Sequence, residues 1–424
     1  MARNMKDSGI EWIGEIPEGW ETCLYKYCCS VQPGYPFDSA KFSNSSTDGF
    51  PLIRIRDITS GEIQTYYTGE YPPNYIITAG DLLVGMDGDF NVRWWNNDAA
   101  LLNQRCCRVT EKDSVLRRFL YYVLPFTLQH INTLTYATTV KHLANGDILN
   151  SFIAFPSLPA QQNIVHYLDT VCSEIDAMLS KTRSSIEEYK KLKQSVITQA
   201  VTKGVRGERE MKDSGVEWIG EIPKEWVIQK IKSISSRINV GVVIRPSEYF
   251  DENGTVPFLR GINVKEYLIS SDNMVYINES SNHILSKSQV HTDDILIVRD
   301  GSIGTSCVVP AEYDGANVVS MVIVTPSISC DSRFICYSLN SDVGKTQFTL
   351  TKIGSALTHT SVSAVSDIIV AVPSCAEQKE IADYLDAKCA EIDGLIAKKE
   401  QLVKELESYK KSLIYEVVTG KREV

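Results

Sequence analysis

The chain has 424 residues, 43% apolar and 23% charged, with a formal net charge of −10. That length predicts two or three domains, and the composition excludes disorder, collagen and low complexity for the bulk of it. No apolar run is long enough for a membrane span and residues 1–20 lack a signal-peptide core, so a cytoplasmic, non-membrane protein is expected, and the acidity argues against a strongly basic DNA clamp. The eleven cysteines form two adjacent pairs, Cys28-Cys29 and Cys106-Cys107, and seven scattered singles, with no CxxC. Such spacing reads as reduced thiols rather than a metal or disulfide framework.

The chain contains itself twice. MKDSGIEWIGEIPEGW (5–20) returns as MKDSGVEWIGEIPKEW (211–226), identical at thirteen of sixteen positions. A second repeat begins at Pro156 and again at Pro373. It matches Gln161 with Gln378 and Tyr167-Leu168-Asp169 with Tyr384-Leu385-Asp386. It then matches Cys172, Glu174, Ile175 and Asp176 with Cys389, Glu391, Ile392 and Asp393. What lies between is alike only in outline: GDLLVGMDGDF (80–90) stands opposite DDILIVRDGSI (293–303), and His142 opposite His359. Conserved frame and divergent interior suggest two different reading heads on one scaffold. The divisions are 1–20 (repeat motif), 21–155 (first head), 156–204 (long helix), 205–226 (linker with the second motif), 227–372 (second head) and 373–424 (second long helix).

In chain order, the variable segments read as β-rich with some helix. Strand-length apolar or β-branched runs are Pro51 to Ile58, Asp81 to Val84, Ile295 to Val298, Val318 to Val324 and Ile368 to Val372. Arg117 to Leu124 and Ser332 to Leu339 read as short helices. Ile164, Leu168, Val171, Ile175, Met178, Tyr189, Leu192 and Val196 recur at gaps that favour four and three, the seam of a long helix with a partner. Ile381, Leu385, Ile392, Leu395, Leu402, Leu406, Tyr409 and Leu413 repeat it, and Gly204 and Gly420 stand where C-caps belong. The fold expected is mixed α/β: two globular β-rich domains separated by two long antiparallel helices in an intramolecular coiled coil with pseudo-twofold symmetry.

Catalytic constellations fail one by one. Gly344-Lys345-Thr346 has Leu339 where a P-loop needs its first glycine, and Tyr71-Pro72-Pro73-Asn74 reverses the amino-methyltransferase tetrad. The six histidines form no HExxH, and GxSxG is missing. Asp87-Gly88-Asp89 suits a turn better than a paired-carboxylate metal site.

The WIGEIPxxW opening and the Pro-x-x-x-x-Gln-x-x-Ile-x-x-Tyr-Leu-Asp start of each long helix resemble the specificity subunit of Type I restriction–modification systems, over the whole chain. Two departures are Ala160-Gln161 against Glu377-Gln378, and Met86 against Arg299. The resemblance implies a non-enzymatic DNA-reading subunit whose two target-recognition domains each read half of a split, asymmetric double-stranded target at fixed spacing. It implies two modification subunits carrying S-adenosylmethionine and methylating adenine, and restriction subunits using ATP and Mg, with no cofactor in this chain. A protein–protein scaffold with two binding heads is the alternative.

Candidate DNA contacts follow from residue type and position. Arg54 and Arg56 alternate with Ile53 and Ile55, which would put both on one strand face. Arg260 occupies the matching place, with Asn263 as an adenine reader. Arg93, Trp94 and Trp95 offer a charge and two flat rings, or else a core tryptophan pair with one snorkelling arginine. Lys141, His142, Thr358 and His359 lie in matched loops; Arg299 contacts DNA or pairs with Asp300. Lys181, Arg183, Lys190, Lys191 and Lys193 suit a solvated coiled-coil flank. Each head holds eleven basic residues against thirteen or fourteen acidic ones, so tight DNA binding should require the partner subunits.

Overall fold

The structure, a computed structural model, describes residues 4–134, 141–353 and 359–424. Two compact units form, one from 1–182 with 402–424 and one from 183–401. Each therefore holds one head, the start of the long helix that follows that head, and the end of the other long helix.

Because the MKDSG repeat is almost identical in sequence, it folds identically. Met5–Asp7 pairs with Glu15–Pro17 in a hairpin of register Met5↔Pro17, and Met211–Asp213 pairs with Glu221–Pro223 in register Met211↔Pro223. Asp7 Oδ1 accepts from the Gly9 N–H at 3.0 Å and Asp213 Oδ1 from the Gly215 N–H at 2.9 Å, closing the same turn. Each hairpin then packs its tryptophan against a helix end. Trp20 is buried beside Gly420, just past the second long helix, and Trp226 beside Gly204, just past the first. In the first unit the Tyr415 hydroxyl also donates to the Trp12 carbonyl at 2.9 Å.

Each head is closed by pairing its entering strand with its leaving strand: Glu21–Leu24 with Phe152–Phe155, and Val227–Lys230 with Ile369–Val372. Inside the first head an antiparallel sheet runs in the order Val92–Trp94, Leu82–Gly85, Cys106–Glu111, Cys29–Pro33. The second head repeats it with Ser306–Val308, Ile295–Val298, Met321–Pro326 and Ser235–Val240. A second sheet in each head is built on one parallel pair, Phe50–Ile53 with Ala100–Leu102 and Val256–Leu259 with Asn317–Val318. The central strands Leu82–Gly85 and Ile295–Val298 are buried throughout, which explains their unbroken apolar sequence.

Two of the expected strands are shorter than their apolar runs. Pro51 to Ile58 is extended only to Ile53; Ile55–Ser60 is a helix. The cause is Asp57, whose carboxylate accepts from the Arg54 N–H at 2.8 Å and so closes the first helical turn. Arg54 and Arg56 therefore do not share a strand face. Val318 to Val324 breaks at Ser320, which takes φ 47°, and its halves join different sheets. The helix expected from Arg117 continues to Leu134 through Pro125.

The long helices span Leu158–Lys203 and Cys375–Val418, about 70 and 65 Å at 1.5 Å per residue. They pack together antiparallel through one pair of repeat positions used twice: Lys410 Nζ meets Asp176 at 2.5 Å in the first unit, and Lys193 Nζ meets Asp393 at 2.6 Å in the second. Leu168, Cys172, Ile175, Leu179, Ile186 and Ile197 form the buried stripe of the first helix, while Met178 and Leu192 are exposed. The seam thus keeps the expected Ile164, Leu168 and Ile175 and moves by one residue at Cys172, Leu179 and Ile197, where Val171, Met178 and Val196 were expected. At 3.6 residues per turn a nearly straight helix drifts away from a strict seven-residue repeat.

The remaining repeat residues fasten helix to head. The buried Gln161 accepts from the Leu116 N–H at 2.9 Å and donates to the Ser114 and Pro156 carbonyls at 3.0 and 2.8 Å. Gln378 likewise accepts from the Asp331 N–H at 2.9 Å and donates to the Pro373 carbonyl at 3.0 Å. Asp169 accepts from the Tyr122 hydroxyl and Arg118 at 2.5 and 2.8 Å, as Asp386 does from Tyr337 and Arg333 at 2.7 and 2.6 Å. Burial and the neighbouring carboxylate push both tyrosines well above their ordinary range, so each hydroxyl keeps its proton and remains a donor. Glu377 is nearly buried and meets Arg209 at 2.6 Å, a pairing that Ala160 cannot make in the first half.

Candidate nucleic-acid interface

The strand registers bring several loops to one end of each head. In the first head the strand Cys29–Pro33 ends, Cys106–Glu111 begins and Leu82–Gly85 ends at the same edge. Tyr35, Arg105 and the Asp87-Gly88 turn are therefore neighbours there. Lys141-His142 joins them by backbone: the Gly88 N–H donates to the Lys141 carbonyl at 3.1 Å and the Leu143 N–H to the Met86 carbonyl at 2.7 Å. The second head repeats the device, the Thr360 N–H donating to the Arg299 carbonyl at 3.1 Å. This end gathers Val243, Ile244, Arg299, Asp300, Ser320 and His359.

At the centre of the first cluster, His142 Nδ1 lies 2.7 Å from Asp87 Oδ1, and Arg105 Nη1 lies 3.4 Å from the same oxygen. Gly88 takes φ 73°, so Asp87-Gly88 is a turn; no group of three or more potential metal ligands occurs among the described residues. In the second cluster the Arg299 Nε donates to the Thr360 carbonyl at 2.9 Å, while Asp300 accepts from the Ser320 hydroxyl at 3.2 Å. Arg299 is thus tied to the facing loop rather than to Asp300.

The other candidates are distributed as follows. Arg54 begins the helix beside this end, its guanidinium 5.8 Å from the Phe42 ring centroid, and Arg260 begins the matching turn and donates to the Asn273 carbonyl. Arg56 is exposed, donates to Thr65 Oγ1 at 2.9 Å and lines an open depression with Asn44, Gln64 and Tyr66. Asn263 is fully buried; its carbonyl accepts from the Arg260 N–H at 3.1 Å and its amide donates to Ser270 and Asp272 carbonyls at 3.1 and 2.8 Å. Its hydrogen-bonding edge is consumed in building the loop, as Asp57 is in the first head, where burial pushes that carboxyl above its ordinary range. Trp95 is likewise buried, donating to the Asp98 carbonyl at 2.9 Å, and Arg93 donates to the Ile58 and Thr59 carbonyls at 3.0 and 3.2 Å. Trp94 stacks under Arg118 at 4.6 Å, next to the helix anchor. Lys141 Nζ donates to the Asn132 carbonyl at 2.8 Å. Thr358 lies outside the described residues.

Arg105, Ser320, Tyr35 and the exposed Val243-Ile244 pair are members of this end that residue type alone did not single out. The available signal was positional: Arg105 and Ser320 each stand one residue before the matched strands Cys106–Glu111 and Met321–Pro326.

Two copies of one frame with different side chains at matched loop positions define a duplicated recognition module. The family model described as "Type I restriction modification DNA specificity domain" matches residues 17–188 and again 223–405, and the chain belongs to the specificity subunits of Type I restriction–modification systems, which are themselves non-catalytic. The Type I restriction enzyme EcoBI specificity subunit of Escherichia coli is 27% identical over 403 residues, 93% of this chain and 84% of that protein. The MjaVIII specificity subunit of Methanocaldococcus jannaschii is 23% identical over 418 residues, 96% of this chain and 93% of that protein. A solved chain from work on complex assembly and conformational transition of the type I R-M system matches with a TM-score of 0.71. It covers 96% of this chain and 99% of that one at 15% identity, which supports the fold. Among the described residues, no helix is long and apolar enough to cross a membrane.

Proposed function

We propose that this subunit reads a split, asymmetric double-stranded DNA target, one half with each head, through the loop ends described above. The observation that carries this reading is the matched pair of ends. One backbone frame holds Met86, Asp87, Arg105 and His142 in the first head, and Arg299, Asp300, Ser320 and His359 in the second. A shared frame with unlike side chains is what reading two unlike half-targets requires. The long paired helices act as the spacer, so the two halves fall at a fixed interval; on a helical duplex that interval sets rotation as well as distance. Arg54, Arg260, Lys141 and the solvent-facing part of Arg56 support the same surface by contact with the duplex backbone.

Two modification subunits join the chain, binding S-adenosylmethionine and methylating adenine; restriction subunits, where present, use ATP and Mg. The near-neutral heads favour this division, because phosphate neutralisation supplies much of the affinity of any DNA-binding protein and must come here from the partners. The test is to co-express the full chain with its modification subunit and map methylated adenines across the host genome. A bipartite motif with two unlike halves and a constant gap is expected. Methylation without such a motif, or none above the level given by the modification subunit alone, overturns the reading.

A further inference from the structure

The aspartate turn is common to both heads, but the arginine beside it comes from opposite sides. In the first head the residue before the turn is the buried Met86, and the cation is Arg105, supplied from the turn that leads into the neighbouring strand. In the second head the position of Arg105 is taken by Ser320, and the cation is Arg299, supplied from the residue before the turn. Each head therefore presents one arginine at the centre of its loop end, anchored at one edge of its fork. Arg105 is held through Nη1 near Asp87, and its side chain remains 56% exposed. Arg299 is held through Nε by the Thr360 carbonyl, and its two Nη groups make no hydrogen bond among the described residues.

An anchored arginine of this kind is better suited to a base than to a phosphate. In the first head the Asp87 carboxylate offsets part of the charge that would attract phosphate, and its contact with one Nη at 3.4 Å restrains the guanidinium and lowers the entropy lost when its free donors engage a ligand. Two parallel N–H donors match the O6 and N7 acceptors that guanine displays in the major groove. We propose, building on the split-target reading above, that Arg105 and Arg299 are the guanine-reading residues of the first and second heads, and that Asp87 is the positioning residue for Arg105. Moving the arginine from one side of a common turn to the other places the guanine differently in the two half-targets while leaving the backbone frame unchanged.

The test uses the full chain assembled with its modification subunits and compares methylation motifs and salt-dependent DNA binding for Arg105→Ala, Arg105→Lys, Arg299→Ala, Arg299→Lys and Asp87→Asn. Lysine keeps the charge but loses the fork. Arg105→Ala should lose preference for one G·C pair in one half of the motif by about ten- to a hundredfold, and Arg105→Lys should lose less of it, with the other half intact in both. Both Arg299 variants should do the same in the opposite half. Asp87→Asn should relax the position that Arg105→Ala relaxes, by a smaller factor, with the salt slope unchanged. If the wild-type chain directs a bipartite motif but the alanine variants keep full preference at every position, the inference fails and the split-target reading stands. Uniform weakening across all sites with a shallower salt slope marks phosphate contacts and also overturns it. A wild-type chain that directs no bipartite motif overturns the split-target reading itself.

Discussion

In the first head the chain leaves the strand Cys29–Pro33 through Gly34 and Tyr35; in the second it leaves Ser235–Val240 through Gly241 and Val242. Both crossings make the same parallel bridge, Tyr35↔Asn103 and Val242↔Val319. Both are too close for a side chain, a Cβ at Gly34 falling 2.1 Å from the Asn103 carbonyl oxygen and one at Gly241 falling 2.4 Å from that of Val318. A few residues further on the likeness ends: Pro36-Phe37-Asp38 turns back into the first head with Phe37 buried, whereas Val243 and Ile244 stand exposed in the second. The same contrast recurs at Arg105 and Ser320, and at Met86 and Arg299. Sheet register, crossings and helix anchors are held in common because any change there propagates through a packed core. Loop-end side chains differ because they touch little else and can be exchanged without disturbing the frame.

If the frames are equivalent, matched substitutions should have matched costs. Trp20→Ala and Trp226→Ala remove buried indoles from corresponding helix ends and should each destabilise their unit by about 3–5 kcal/mol, read from denaturant unfolding of the full chain. A large cost in one unit with almost none in the other breaks the equivalence. Gly34→Ala and Gly241→Ala should each cost about 1–3 kcal/mol, because the obstructing atoms are backbone; a lowered melting temperature for both checks this. Asp169→Asn and Asp386→Asn weaken the paired Tyr–Arg anchors at partly exposed sites, so about 1 kcal/mol is expected from each. A double variant whose loss equals the sum of the single losses would show the two anchors acting independently.

Much of this frame was legible in the sequence because the repeats spell it out. The near-identical motifs became identical hairpins, the glutamine and Tyr-Leu-Asp positions became the anchors, and both glycines past the long helices take positive φ. The phase of the helix seam is less legible, since Val171 or Cys172, Met178 or Leu179 and Val196 or Ile197 satisfy apolar spacing almost equally until the partner helix is present. The alternation of Arg54 and Arg56 with Ile53 and Ile55 points to a strand face, but the Asp57 cap turns the chain into a helix there. The loop ends were the least legible. Arg105 follows an ordinary Asn-Gln pair and gains its place only when strands distant in sequence bring it beside Asp87 and His142. Asn263 looked like a reader by residue type, but three hydrogen bonds within its own loop occupy it.

Whether each head alone determines one half of the target is decided by exchanging residues 21–155 for the corresponding segment of another specificity subunit and mapping methylated adenines beside those of the parent chain. The expected result is a motif in which one half changes while the other half and the gap between them are retained. A motif in which both halves change together, or in which neither does, would contradict it.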